Sequence, residues 1–200
     1  MNTKDLIVEK TLELILEKGT IDISISEIRN STGLTTGGIY YYFSDKSDIF
    51  EAILQKYMID YIKIDFDKIS LEGSSKDRIH DALLYILHHF TNGVEIESIN
   101  EKINYGTVLI LLTATGYSDD EVNRIILQTG NAVGTFLTDL VEDGKRQNEI
   151  RQDFSTKNIA ESLYIMYMGI QGIWLAFPNE DIDLLFEKNF EMTWQAIECQ

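Results

Sequence analysis

The sequence contains little proline and almost no cysteine, and each scarcity excludes a class of fold. Pro178 is the only proline in 200 residues, so few positions force a break in a helix. Cys199 has no second cysteine to pair with, which excludes an internal disulfide framework of the kind that holds small secreted domains. Hydrophobic residues make up 44% of the chain, as is typical of a folded protein. We therefore predict an all-α protein with a hydrophobic core.

The sequence also lacks a hydrophobic run long enough to span a membrane. The most apolar stretch, residues 163–177, is about 15 residues long, shorter than the roughly 20 that a span requires. We interpret it as a buried helix. The N-terminus reaches the acidic Asp5 and Glu9 before any long apolar run, which is unlike a signal peptide. Together with the lone cysteine, these features favour a cytoplasmic protein without a membrane partner.

Basic residues are scarce, and the net charge is −16. This balance argues against nucleic-acid binding, because phosphates attract lysine and arginine. The acidity is unevenly distributed, however. Residues 1–50 carry a net charge of −3, whereas residues 51–200 carry −13. The N-terminal quarter therefore remains a candidate for binding DNA.

Motifs for catalysis or metal binding are missing as well. Serine, histidine and acidic residues form no nucleophile elbow, no phosphate-binding loop and no paired metal-ligand spacing. His88 and His89 are adjacent, so on a helix they point about 100° apart and do not easily chelate one ion. We expect no enzymatic activity, no metal and no cofactor.

The first fifty residues show the pattern of short, capped helices. A helix is predicted from Asp5 to Lys18, and a second one from Ile25 to Thr32. Ser24 and Glu27 have the spacing of a capping box at the start of the second helix, and Gly33 ends it. Because a third short helix follows this glycine-containing turn, the pattern predicts a helix-turn-helix.

Residues 24–50 resemble the N-terminal domain of the TetR family of bacterial repressors. The family pattern in the third helix is Ser-Lys-Gly-Thr-Leu-Tyr-Tyr-His-Phe, and residues 35–43 of this chain are Thr-Thr-Gly-Gly-Ile-Tyr-Tyr-Tyr-Phe. An acidic residue and a lysine, Asp45 and Lys46, follow as in the family. The resemblance implies an N-terminal three-helix helix-turn-helix domain, residues 1–47, and a C-terminal helical effector-binding and dimerisation domain, residues 48–200.

The third helix carries most of the predicted DNA contacts. Two glycines at its start allow the backbone to approach a phosphate or the floor of the major groove, and hydroxyl groups can reach phosphates or base edges. Thr36 stands where the family pattern has lysine, so one expected phosphate contact is missing. We expect Ile39, Tyr42 and Phe43 to pack inside. The predicted DNA-binding residues are Ser24, Arg29, Thr35, Thr36, Gly37, Gly38, Tyr40, Tyr41 and Lys46.

Helical patterns continue to the C-terminus. They predict a long helix from Lys46 to about Ile69, one after a Ser74 cap to Phe90, and two last helices over 156–177 and 182–197. The resemblance implies an effector among the middle helices, a homodimer formed by the last two, and release of DNA when the ligand moves the fourth helix. The predicted ligand-binding residues are Tyr61, Phe66, Leu84, Tyr85, His88, Tyr105, Leu109 and Trp174. Plain core packing is the alternative for each of them.

These patterns together predict a TetR-like regulator of transcription. It would be a homodimeric repressor on a palindromic double-stranded DNA operator, released by an unknown small-molecule effector. An activator would use the same residues. The alternative is a DNA-independent helical interaction protein, which the acidic surface and the missing lysine at position 36 would favour and which would bind no operator at low salt.

Overall fold

The described part of the chain is mostly helical in the computed structural model. The described residues are 2–96, 98–115, 120–177 and 179–199. Pro178, the predicted end of one helix, lies outside them. Within them, no helix combines the length and the apolar character needed to cross a membrane.

The elements follow one another in chain order with short connections. They are α1 (Thr3–Lys18), α2 (Ile25–Thr32), α3 (Thr36–Tyr40), α4 (Lys46–Ile53), a π-helical turn (Leu54–Met58), α5 (Ile59–Ile62), a 3-10 turn (Phe66–Lys68), α6 (Ser75–Asn92), β1 (Val94–Ile96), β2 (Glu101–Ile103), α7 (Tyr105–Thr115), α8 (Asp120–Arg146), α9 (Thr156–Ala176) and α10 (Ile182–Ile197). The chain divides into two compact units, residues 1–63 with 92–126 and residues 64–91 with 127–200. The boundary predicted between residues 47 and 48 stays a prediction.

The capping signals of the first unit form as the sequence predicts. The Ser24 hydroxyl accepts a hydrogen bond from the Glu27 N–H, and the Glu27 carboxylate accepts one from the Ser24 N–H. Gly19 ends α1 at a φ of 63° and Gly33 ends α2 at 71°, in the left-handed region that favours glycine. The predicted bounds of α2 are confirmed.

The core of the first unit holds the helix-turn-helix together. α1 packs on α2 and α4, and α4 packs on α7. Ile7, Leu12, Ile28, Ile39 and Ile49 are fully buried. Because α3 has only five residues, it is too short to be stable alone, and its position depends on this core.

The predicted long helix after Lys46 is shorter and less regular than expected. It ends at Ile62 instead of Ile69, because Lys63 adopts an extended conformation with ψ at 135°. The π-helical turn also interrupts it. Ile53, Leu54 and Met58, which lie at and around this turn, are all buried.

A short antiparallel hairpin is the other departure from the predicted all-helical pattern. β1 pairs with β2 so that Val94 lies opposite Ile103. Gly93 has a φ of 69°, and a Cβ atom there would lie 2.0 Å from the Ile103 carbonyl oxygen. Only glycine allows this close approach, which the sequence pattern does not reveal.

The second unit is built from α6, α9, α10 and most of α8. Its core includes Ile79, Leu83, Leu137, Phe186 and Phe190. The last two helices agree with the predicted ranges to within one residue. The predicted Ser74 cap of α6 also forms, since its hydroxyl accepts from the Asp77 N–H at 3.2 Å.

The interpretation of residues 163–177 as a buried helix is correct for one face only. Leu163, Tyr167 and Ile170 are buried, whereas Ile165 is 69% exposed and Phe177 is exposed as well. A helix with one apolar face in the core and a second apolar face outside is typical of one that packs against a partner.

Ion pairs and hydrogen bonds join α6 to α10 beside this core. Lys76 lies 2.6 Å from Glu191, His80 Nε2 lies 2.8 Å from Glu187, and His88 Nε2 lies 2.7 Å from Asp183. His80 also contacts Asp81 through Nδ1 at 3.0 Å, so it lies between two carboxylates, whereas His88 contacts Asp183. Among the described residues, no cluster of histidine, cysteine or acidic side chains has the composition of a metal site.

The Glu27 carboxylate makes the first unit sensitive to acid. Its hydrogen bonds with the Lys18 ammonium and with Ser24 lower the pKa of Glu27 to about 2. The bound carboxylate therefore stabilises the folded state above its ordinary pKa of 4.5, and this contribution is lost as the pH falls toward 2. We expect the unfolding free energy of the wild type to fall more steeply over this interval than that of Glu27→Gln.

Urea unfolding followed by circular dichroism across this pH range measures the difference. Lys18→Met removes the main cause of the lowered pKa and should also flatten the pH dependence. Parallel curves for the wild type and Glu27→Gln would contradict the assignment.

Candidate DNA-binding surface

α3 is held at its start by a threonine cap. The Thr35 hydroxyl accepts a hydrogen bond from the Gly38 N–H at 3.1 Å. Thr36 and Gly37 follow it at the exposed first turn of the helix. The backbone N–H groups of a helix N-terminus carry a partial positive charge, which favours contact with a phosphate.

Three consecutive tyrosines extend this exposed surface. Tyr40 is 50% exposed and Tyr41 is 81% exposed, while Ile39 and Phe43 are buried as predicted. The prediction that Tyr42 packs inside is wrong, because it is 40% exposed. The centres of the Tyr41 and Tyr42 rings lie 5.0 Å apart in an edge-to-face arrangement. The two neighbouring rings can meet in this way because α3 ends here, with Tyr41 at its C-cap. All three hydroxyls are thus available at the surface.

Gly37 has no role in the fold that demands glycine. A Cβ atom there would meet nothing within 4 Å, and its backbone is not in the left-handed region. At Gly38 a Cβ atom would lie 3.3 Å from the Thr35 hydroxyl, so that position is tighter. Glycine lowers helix stability, and at Gly37 the open space is on the outside of the protein. This arrangement is typical of a backbone that a ligand approaches closely.

The cations around α3 are few. Arg29 is exposed and donates to the Asn30 side chain at 3.0 Å, and Lys46 lies over the Phe50 ring. Sequence reasoning missed Lys4, whose ammonium lies 5.4 Å from the centre of the Phe43 ring. The sequence contains no signal for Lys4, because its position beside Phe43 depends on how α1 packs. Ser24 is exposed, but its hydroxyl is engaged in the α2 cap.

A buried carboxylate ties α1 to the π-helical turn. Glu9 is only 7% exposed. Its Oε1 accepts from the Lys56 ammonium at 3.2 Å and from the Tyr57 hydroxyl at 3.0 Å. Lys56 also donates to Asp5 at 3.1 Å. We call these four side chains, Asp5, Glu9, Lys56 and Tyr57, the Glu9 clamp.

The electrostatics of the Glu9 clamp follow from its partial burial. Burial alone would lower the pKa of Lys56, but hydrogen bonds to Tyr57, Asp5 and Glu9 outweigh it and raise that pKa. Burial raises the pKa of Tyr57, so its hydroxyl stays protonated and can donate. The Tyr57 hydroxyl also hydrogen-bonds to the Ser98 side chain, beyond β1. The clamp therefore links α1, the π-helical turn and the hairpin.

Three predicted ligand residues lie in the first unit. Tyr61 is buried, which raises the pKa of its hydroxyl, and it hydrogen-bonds to the backbone of Tyr105. Leu109 lies one turn after Tyr105 on α7, and both are half-buried. The structure brings Tyr61 and Tyr105 together, and their role toward a ligand stays a prediction.

The other predicted ligand residues lie in the second unit. Phe66 packs against Phe136 at a ring distance of 4.8 Å. Leu84, Tyr85 and His88 are half-buried on α6, and Trp174 is half-buried on α9. The Nε2 atom of His88 is already engaged by Asp183.

The sequence is similar to bacterial regulators of transcription. Residues 7–53 match the family described as bacterial regulatory proteins, tetR family. One curated relative is the HTH-type transcriptional repressor BepR of Brucella suis biovar 1 (strain 1330). It is 24% identical over 176 residues, which cover 86% of this chain and 80% of the relative.

Solved structures share the fold over nearly the whole chain. A transcriptional regulator from Saccharomonospora viridis, in complex with choline, superposes with a TM-score of 0.64 at 14% identity and 98% coverage of both chains. AibR, in complex with isovaleryl coenzyme A and operator DNA, gives a TM-score of 0.58 at 17% identity, covering 96% of this chain and 97% of its own. At these identities the likeness shows the fold alone.

Gly37 provides a direct test of close approach at α3. Gly37→Ala should raise the unfolding free energy by about 0.5–1 kcal/mol, because alanine favours the helix. It should nevertheless weaken binding to an operator selected from random duplex DNA, because the added methyl group points to the outside. Gly134→Ala on α8, also at an open position, is the control that changes helix propensity without changing affinity. Tighter or unchanged operator binding by Gly37→Ala in fluorescence anisotropy would contradict this interpretation.

Proposed function

We propose that the chain, whose residues 7–53 match the tetR family, represses transcription as a homodimer that a small molecule releases from a palindromic operator. The exposed surface of α3 carries this proposal. It combines an open glycine at the helix start with three exposed tyrosines, above a core that fixes the position of a five-residue helix. The matched relatives are described as regulators, and nothing in the described residues favours a second function.

The proposed DNA contacts divide into two groups. Thr35, Thr36, Gly37 and Gly38 lie at the start of α3, where backbone N–H groups and hydroxyls can contact a phosphate. Tyr40 and Tyr41 offer hydroxyls and ring faces to base edges and thymine methyl groups. Ser24, Arg29 and Lys46 complete the proposed surface from the neighbouring helices.

The shortage of cations sets the expected character of DNA binding. Each phosphate neutralised by lysine or arginine adds roughly 0.9 to the slope of affinity against salt on logarithmic axes. Arg29 on α2 and Lys46 at the start of α4 flank α3 in the chain, Lys4 lies beside Phe43, and all three are exposed or half-buried. We therefore propose modest electrostatic binding with a shallow salt dependence, in which shape and hydroxyl contacts carry much of the specificity.

A homodimer is proposed because one helix contacts only a few base pairs. Two copies about 34–36 Å apart reach successive major grooves of a palindrome. The outer face of α9 and α10 is suited to a second copy. Two apolar grooves there, of about 590 and 450 Å³, share Ser162, Asn189 and Thr193, and Gly169 leaves open space for a close approach. Ile165 and Met192 are among the most exposed apolar residues of this face.

Release by an effector is proposed to act through the Glu9 clamp. The clamp joins α1, which supports the helix-turn-helix, to the π-helical turn that follows α4. π-helical turns are rare and are frequently found at functional sites. A ligand that shifts this turn would move α1 and change the spacing of the two recognition helices. A coupling of about 1–3 kcal/mol between effector and operator corresponds to a change in operator affinity of roughly 5- to 150-fold.

We also propose a cytoplasmic location, because a protein that binds an operator must reach the chromosome.

Selection of binding sites from random duplex DNA tests the function most directly. The wild type should enrich one palindrome at low salt, and a Tyr41→Ala, Lys46→Ala double variant should not, because both lose proposed contacts without disturbing buried residues. If neither protein enriches any sequence and both behave alike, the DNA-independent interaction protein takes the place of this proposal.

The dimer is tested by adding a charge to the proposed interface. Ile165→Glu should convert the dimer to a monomer in sedimentation experiments and lower operator affinity by more than tenfold, about 1.4 kcal/mol or more. Leu127→Glu is the matched control, because Leu127 is 68% exposed on α8 and Ile165 is 69% exposed on α9. A monomeric wild type, or an Ile165→Glu variant that remains dimeric, would contradict the proposed interface.

A further inference from the structure

One face of α9 carries a polar side chain where an apolar one would be expected. Gln171 is only 3% exposed, and its Nε2 atom is buried without a hydrogen-bond partner. An unsatisfied buried donor costs about 1–3 kcal/mol, and native proteins contain few of them. The position of Gln171 therefore needs an explanation other than packing.

The second buried donor without a partner differs in kind. It is the Nε atom of Arg78, whose terminal nitrogens are bonded to Asp143, Ser75 and Gln147. Arg78 thus holds α6 to the end of α8. Its unsatisfied Nε atom belongs to a guanidinium group that already makes these structural hydrogen bonds. Among the described residues, no such contact holds the Gln171 amide nitrogen.

The surroundings of Gln171 along the helix are aromatic. Tyr164, Tyr167 and Trp174 lie seven and four residues before it and three residues after it, so all four share one face of α9. The rings of Tyr164 and Tyr167 are 6.1 Å apart, and burial raises the pKa of the Tyr164 hydroxyl. An aromatic wall with a single polar group is the usual composition of a small-molecule site.

The same part of the helix has no charge. Residues 162–177 contain no acidic or basic side chain. A carboxylate or an ammonium group bound here would lose its hydration without a partner of opposite charge from α9, which is costly. A neutral oxygen acceptor would satisfy the Gln171 donor without this cost.

We propose that the side-chain amide of Gln171 is the polar contact of the effector site, and that it donates to the carbonyl oxygen of an uncharged, largely apolar or aromatic ligand. This inference rests on the proposed effector-responsive function and names the ligand class. Gln171 selects for an oxygen acceptor, and the aromatic face of α9 supplies most of the contact area. Without ligand, the unsatisfied amide lowers the stability of the protein.

The test uses prodan, an uncharged aromatic ketone whose fluorescence reports the polarity of its surroundings. The full-length wild type should bind prodan saturably with blue-shifted emission. Gln171→Met keeps the length of the side chain and removes the donor, so its affinity should be about fivefold lower, as expected for one lost hydrogen bond. The prodan analogue with a methylene in place of the ketone should bind both proteins equally. Gln195→Met, the same change at an exposed site on α10, should behave as the wild type.

Two measurements do not depend on a difference in prodan affinity. In the absence of ligand, Gln171→Met should raise the melting temperature by about 2–4 °C per kcal/mol of relieved penalty. The carbonyl stretching band of prodan bound to the wild type should lie at lower frequency than in a dry hydrocarbon, because the oxygen accepts a hydrogen bond. This second measurement needs no variant and remains available if Gln171→Met does not fold.

Several results would overturn the inference. They are no saturable binding of prodan to the wild type, equal affinity in the wild type and Gln171→Met, an unshifted carbonyl band, or a lower melting temperature in Gln171→Met. Operator selection separates this outcome from failure of the proposed function. If the protein selects an operator but binds no ketone, only the inference about Gln171 is wrong. If it binds a ketone but selects no DNA sequence, only the proposed regulatory function is wrong.

Discussion

The Glu9 carboxylate is the constraint on which the arrangement of the first unit depends. A carboxylate that is almost fully buried needs hydrogen-bond or charge partners, because an unpaired buried charge is costly. Both of its partners, Lys56 and Tyr57, come from consecutive positions of one π-helical turn. α1 therefore cannot shift along this turn without leaving the charge unpaired. Because α1 also packs on α2, this one requirement fixes the support of the recognition helix.

Other features of the chain connect this constraint to the proposed function. If α3 contacts DNA as proposed, a five-residue helix with few cations near it depends on accurate placement more than on long-range attraction. We propose that small movements at the clamp are then sufficient to change DNA affinity. The strongly acidic remainder does not oppose this, because most of the charge lies beyond residue 50. The apolar outer face of α9 and α10 and the unsatisfied Gln171 amide provide the proposed dimer contact and effector contact.

Local signals in the sequence predicted much of the fold, because they depend on neighbours in the chain. Ser24, Glu27 and Gly33 act within one helical turn of their own positions, and the helix ends that they predict formed as expected. The π-helical turn, the Gly93 hairpin and the exposed Tyr42 were missed. The hairpin depends on the close approach of Gly93 to Ile103, and the exposure of Tyr42 follows from the early end of α3; the periodicity of apolar residues contains neither feature. For the same reason Lys4 and the Glu9 clamp were found only in the structure.

A double-mutant cycle at the Glu9 clamp tests this account most directly. Glu9→Gln and Lys56→Met should each lower affinity for the selected operator by about tenfold, and the double variant should lose little more, because both changes remove the same interaction. The circular dichroism spectra should show that all three variants keep their helices. Wild-type operator affinity in the single variants, or losses that simply add in the double variant, would show that the clamp does not position the helix-turn-helix.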